Sequence, residues 1–424
     1  MASTDHAATS REEFRRGWKI ILVAAVGLGC GLSALPIYSM GALTKPLTAA
    51  FGLTRGEVGS VYTWMTIGNL IAAPFLGILI DKHGVRRVTL ISVALMAIGM
   101  ASMAFADSLT ELYIIGFCMS VVGVGTVPIT WTRVIVDWFD LGRGRALGIA
   151  LAGTGVAAVF VPKYTTWLIA TYGWQGAYIG LAAMPALLAL PLSYFLLHDR
   201  TGSGPQQVKA QPGLTSGAEV EFSEVLKGYR FWVMNVAFFL VGACVAGLIS
   251  GLVPMLTDRG VPAITAAEVA GVIGLMVIFS RIGTGFLLDR FWAPGVALFL
   301  LSTPAIGCFI LANGIGGIPG AIVAAASIGV AAGAEFDLMS FMVGKYFGNR
   351  RYGIIYACLY AVFKLSAGVG APIFGYSFDM TGNYNFILYC ASGAMVAGSA
   401  LLLTLGPYRI GAPRASQPEA QPAQ

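Results

Sequence analysis

Apolar residues in this chain fall into runs of about twenty, separated by short polar stretches that hold nearly all of the charge. The runs lie at 18–42, 58–80, 88–106, 111–136, 145–169, 174–197, 231–256, 267–288, 292–313, 318–344, 353–376 and 384–406. Each can carry a helix across roughly 30 Å of hydrocarbon, so the pattern predicts twelve transmembrane helices. The one long polar interval, 198–230, is rich in Gly, Pro and Gln and divides the chain into six-helix halves at 18–197 and 231–406. Residues 1–17 and 407–424 read as polar tails, the second Pro-, Ala- and Gln-rich and expected to be disordered.

Composition turns this pattern into a statement about solvent. With 57% apolar and 11% charged residues in 424, and a mean hydropathy of +0.78, the chain carries less than half the charge of a soluble domain. The 55 glycines suit a helical bundle whose backbones approach closely in lipid, rather than a β-barrel. An all-α membrane protein of two pseudo-symmetric halves is expected.

Charge sets the orientation. With the N-terminus inside, nineteen Lys and Arg fall in cytoplasmic segments, against Lys45, Arg55 and Arg259 outside. That is the positive-inside bias, and it places both termini in the cytoplasm. The formal charge of +6 is then a matter of topology, and no nucleic-acid partner is expected.

The six cysteines are scattered without a CxxC pair, and His6, His83 and His198 lie outside the apolar runs. Neither a metal site nor a nucleophile–base set inside the membrane can be assembled from them, so no cofactor and no enzymatic activity are expected. The short tails and linker leave no room for the large cytoplasmic domain of a sensor.

Two landmarks repeat at one offset. Gly77-Ile-Leu-Ile-Asp81-Lys-His-Gly-Val-Arg86-Arg87 between runs 2 and 3 matches Gly285-Phe-Leu-Leu-Asp289-Arg290 between runs 8 and 9, and Asp81 and Asp289 are 208 residues apart. Trp138-Phe139 with Arg143 and Arg145 recurs as Tyr346-Phe347 with Arg350 and Arg351 at the same offset. A duplicated six-helix unit follows.

The Gly77–Arg87 string resembles the loop 2–3 signature of the major facilitator superfamily. The resemblance implies that Asp81, Arg86, Arg87 and, in the second copy, Asp289 gate the cytoplasmic seam between halves. Within that superfamily the chain is similar to the monocarboxylate porter and oxalate/formate antiporter branch, on Gly173-Trp174-Gln-Gly176-Ala-Tyr178, Asp258-Arg-Gly260, Arg281-Ile-Gly-Thr-Gly285 and Lys364. The same resemblance implies a substrate-binding Arg281 and Lys364 and places the protein in a bacterial cytoplasmic membrane as a monomer. The sequence departs from the porters at Val277, where they carry a carboxylate, and at Tyr38, where they carry a lysine.

A charge inside a transmembrane helix is costly and marks function by default. By a rise of 1.5 Å per residue, Arg281, Lys364 and Glu335 fall in one slab near the midplane. Glu335 and Asp337 read as the only carboxylates inside the runs, and at most one of them can face a cavity. Glu335 is the candidate for carrying a coupled proton, with a fixed counter-ion as the alternative. Lys163 reads as ligand or snorkelling side chain, and Arg133 with Asp137 as an interfacial pair one turn apart. Tyr38, Tyr360 and Trp131 are candidate cavity aromatics, as is Trp64. The excess of cations over acids points to a small mono- or dicarboxylate, moved by proton symport or anion exchange. A neutral or drug-like solute is the alternative cargo.

Overall fold

The structure, a computed structural model, describes residues 10–139, 142–198, 222–348 and 352–408. All of its regular elements are helical. Span 1 is split into Ser10–Gly29 and Leu35–Phe51, and the remaining spans are Arg55–His83, Val85–Phe105, Leu109–Trp138, the continuous run Arg143–Leu196, Tyr229–Asp258, Ala263–Arg290, Ala293–Asn313, Gly317–Phe347, Tyr352–Thr381 and Asn385–Leu405. The run Arg143–Leu196 holds two of the twelve spans, which reverse direction at Gly173 (φ 75°), a conformation that favours glycine. The helix of span 1 starts at Ser10, inside the stretch read as a tail, and runs nine residues past the expected end at 42. Most of the linker, Arg350, Arg351 and the chain beyond 408 lie outside the described residues.

Local chemistry sets the boundaries. Thr54 and Glu57 form a reciprocal capping box that starts span 2, Ser108 caps span 4, and Gly84 turns span 2 into span 3 with a positive φ. Large apolar side chains stay exposed around the perimeter, among them Phe75, Ile78, Phe195, Ile282 and Phe299. On a soluble protein they would be a liability, whereas in a bundle surrounded by lipid they face their solvent.

The halves meet through span 2 on span 11, span 5 on span 8, and the second helix of span 1 on span 7. These seams are built on glycine. A Cβ at Gly274 would run into the backbone of Gly155 and Ala158, one at Gly59 into Ala371 and Pro372, and one at Gly375 into Arg55. All three lie toward the end of the bundle that carries Arg55. At the opposite, Asp81 end, Gly77, Gly144, Gly148, Gly283, Gly285, Gly344 and Gly353 have open space where a Cβ would be. The two halves are therefore closed together at the Arg55 end and splayed apart at the Asp81 end.

Candidate functional site

The charged centre is built almost wholly from the C-terminal half. Arg281 of span 8 lies beside Asp337 of span 10, with Nη1 4.0 Å from Oδ1. Its Nε and Nη1 are buried and make no hydrogen bond. Glu335 is 3% exposed, its Oε1 also lacks a hydrogen-bond partner, and it lies within electrostatic reach of both Lys364 and Arg281. Lys364 of span 11 forms no ion pair among the described residues and stands 5.6 Å over the ring of Tyr360. Tyr360, Tyr356 and Tyr352 stack one turn apart along span 11, with centroids 6.2 and 5.7 Å apart. Tyr38 reaches in from the N-terminal half, within electrostatic range of Arg281 and Glu335. The structure thus brings together Arg281, Lys364 and Glu335, which the rise along the helices puts at one depth, with Tyr38 and Tyr360 beside them.

Trp131 does not join them. It is fully buried, its indole N–H donates to the Thr126 carbonyl at 3.1 Å, and its ring fills the space beside Gly27. It is a packing residue of the N-terminal half. Trp64 lies against Tyr113, 42% exposed. Lys163 bridges to Glu268 of span 8 at 2.6 Å, which also corrects the view that Glu335 and Asp337 are the only carboxylates within the spans. With Lys163 paired, Arg281 and Lys364 face Glu335 and Asp337, so the cationic excess read from the sequence is balanced inside the site.

The four gating candidates sit at the splayed end. Asp81 pairs with Arg133 of its own half at 2.6 Å, a bond across helices from span 2 to span 4. Arg86 donates to the Tyr194 carbonyl at 2.7 Å, toward span 6 of the same half. Arg87 and Asp289 are exposed. The Asp81–Arg133 and Arg86–Tyr194 bonds both lie within the N-terminal half.

At the closed end, charges that sequence reasoning missed do cross. Arg55 donates to both oxygens of Asp258, at 2.5 and 2.9 Å, and to the Tyr384 hydroxyl at 2.8 Å. Its guanidinium lies 3.6 Å from the centroid of Phe378. Lys45 pairs with the same Asp258 at 2.7 Å. Asp379 accepts from the backbone N–H groups of Arg55 and Gly56 at 3.0 and 2.8 Å, so span 11 caps the N-terminus of span 2. In the sequence these residues look like ordinary loop charge, because only the approach of the halves makes them neighbours.

Mainly from the N-terminal half comes a small open pocket, lined by Leu32, Ser33, Pro36, Tyr62, Met65, Thr66, Asn69 and Ser120 together with Lys364 of span 11. Asn69, a polar amide in the middle of a membrane span, is the signal that could have pointed to it.

Two six-helix halves, closed at one end around a buried set of charges, define a membrane transport protein. Residues 20–370 match the Major Facilitator Superfamily, and the chain belongs to that family. It is similar to monocarboxylate transporter 13 of Bos taurus, 25% identical over 390 residues that span 92% of this chain and 89% of the relative. Monocarboxylate transporter 2 of Homo sapiens is 22% identical over 412 residues, covering 92% and 85%. Among solved structures, a nucleoside transporter superposes with a TM-score of 0.71 at 14% identity, covering 92% of this chain and 99% of that one. A D-xylose–proton symporter superposes at 0.70 and 15%, covering 92% and 98%. These structures share the fold.

Proposed function

We propose that the chain carries a small monocarboxylate or dicarboxylate between its halves by alternating access, with the Asp81 end cytoplasmic and open. The bias of positive charge toward that end supports the orientation, in a bacterial cytoplasmic membrane. The carrying observation is a pair of cations, both half-buried, inside the bundle. Arg281 keeps two guanidinium nitrogens without hydrogen bonds, and Lys364 has no ion pair among the described residues. Both lie where the halves meet. A cation inside the bundle left short of partners is costly, and an anionic substrate would complete both sites. The names of the relatives, monocarboxylate transporters 2 and 13, agree with this chemistry.

Affinity for small acids tests the pair. Arg281→Gln and Lys364→Gln should each weaken binding by about 2 kcal/mol or more, as for a desolvated charge-assisted contact, and Arg281→Lys should fail too because the planar fork is lost. Near-native affinity in both Gln variants would return these residues to structural pairing. Balanced charge in the site favours a second reading, a neutral solute. Uptake into liposomes that responds to neutral solutes and ignores acids would establish it.

Glu335 is the proposed carrier of a coupled proton, because it is buried between the two cations without a hydrogen bond to its Oε1. Glu335→Gln should abolish accumulation driven by a pH gradient while sparing exchange of one acid for another. Loss of both activities together would mark it as a fixed counter-ion.

A further inference from the structure

The pocket in the N-terminal half holds several polar side chains that bond to nothing else. Among the described residues the hydroxyls of Ser33, Tyr62 and Ser120, the amide of Asn69 and the Lys364 ammonium make no hydrogen bond or ion pair, although all five residues line the same space. Tyr62 and Ser120 are 8% and 1% exposed, and Lys364 enters from the other half. Every one of them can donate, and no carboxylate lines the pocket. Ser33, Asn69 and Lys364 are only partly buried, so these groups open onto the pocket rather than onto protein partners and offer donors to an acceptor that enters it.

The break in span 1 brings a helix N-terminus to the same wall, where the Leu35 N–H donates to the Gly31 carbonyl and Pro36 has no N–H, so what it offers is the field of the helix dipole. The chain leaves the helical path between Gly29 and Leu35, and the 17-residue helix that follows starts at the pocket wall, with Pro36 in its first turn. No side chain caps that start. The positive end of the helix dipole therefore faces the same space as Lys364, as half-helices do at anion sites inside membranes.

We propose that the substrate's carboxylate is seated in this pocket, held by Lys364 and by the neutral donors of Ser33, Tyr62, Asn69 and Ser120, with the positive end of the second helix of span 1 at its wall. The inference rests on the anionic-substrate reading and adds what that reading lacks, a contribution from the half that carries no buried charge. Lys364 then bridges the halves through the substrate, while Arg281 serves the far side of the ligand beside Asp337.

Binding of acetate, oxalate and benzoate to the full-length protein in detergent, measured by titration calorimetry, tests the seat. Tyr62→Phe and Asn69→Ala should each weaken the best-bound acid about tenfold, the usual cost of one hydrogen bond to a charged group. Ser33→Asp should weaken it by about a hundredfold or more, because a tethered carboxylate pairs with Lys364 and fills the seat, whereas Ser33→Asn should stay within about threefold. An unchanged melting temperature separates these losses from misfolding. Should Ser33→Asp fail to fold, Tyr62→Phe and Asn69→Ala decide alone. Affinities within twofold of the parent in these variants, with Lys364→Gln and Arg281→Gln still impaired, overturn the seat and leave the anionic reading standing. Native affinity in those two as well, or no binding of any acid by the parent, overturns both.

Discussion

Both ends of the bundle carry charged residues, and they use them in opposite ways. At the Arg55 end, cations of the N-terminal half bond to acids of the C-terminal half: Arg55 and Lys45 to Asp258, and the start of span 2 to Asp379. At the Asp81 end, Asp81 and Arg86 bond inside their own half, to Arg133 and to the Tyr194 carbonyl. A crosswise bond is broken whenever the halves separate, and a bond within a half survives the motion. The closed end is therefore held by contacts that opening must break, while Asp81 and Arg86 keep partners that do not depend on the seam. What separates the two ends is which half each charge's partner belongs to, not charge alone.

The closed end is most vulnerable where its seam is backbone against backbone. Gly274→Val should prevent closure of the Arg55 end, because its first added carbon already lies 2.6 Å from the Ala158 carbonyl carbon and the surrounding atoms are backbone. Transport should fall to background with the protein still inserted, and a cysteine at Ser250, which lines the space behind the gate, should become reactive to an impermeant maleimide. Full transport would show that the seam opens wide enough to accept a side chain.

Arg55→Gln comes next. It removes two hydrogen bonds to Asp258, one to Tyr384 and the stacking on Phe378, while Lys45 still holds Asp258. Loss of a charge-assisted bidentate pair at a partly buried site should cost about 1.5–3 kcal/mol of the closed state. Fluorescence reporters placed across spans 2 and 11 at that end should record a population shift of at least tenfold toward open. An unchanged equilibrium would reduce the cluster to surface pairing.

The smallest effect belongs to Asp81→Asn. Its bond to Arg133 is exposed and lies within one half, so the present conformation should keep its stability to within about 1 kcal/mol. If Asp81 latches the seam when the Asp81 end closes, the variant should instead lower the population of that other state, read by the same reporters at the Asp81 end. No change in either state, with full transport, would take Asp81 out of the gate.

Much of this was legible along the chain because bilayer thickness fixes how long an apolar run must be. The twelve spans follow from that, and a buried ionisable residue announces itself against an apolar background, which is how Arg281, Lys364 and Glu335 stand out. Trp131 illustrates the converse. An aromatic residue in a span is compatible with packing or with a cavity, and only its contact with Gly27 and Thr126 selects packing.

Hydropathy could not show the break in span 1, since Cys30, Gly31, Leu32 and Ala34 extend the apolar run while Gly29 and Gly31 loosen the helix. Nor could it show the pocket donors Ser33, Tyr62, Asn69 and Ser120, which are unremarkable one by one. The sequence by itself determined the solvent, the number and length of the helices, the repeat and the buried charges, because these depend on composition along a single helix. Tertiary structure alone decided which charges cancel, which cross the seam and which end is closed. Those are properties of pairs of residues up to 329 positions apart, as Arg55 and Tyr384 are, and a pairwise energy exists only once packing has brought its two members together.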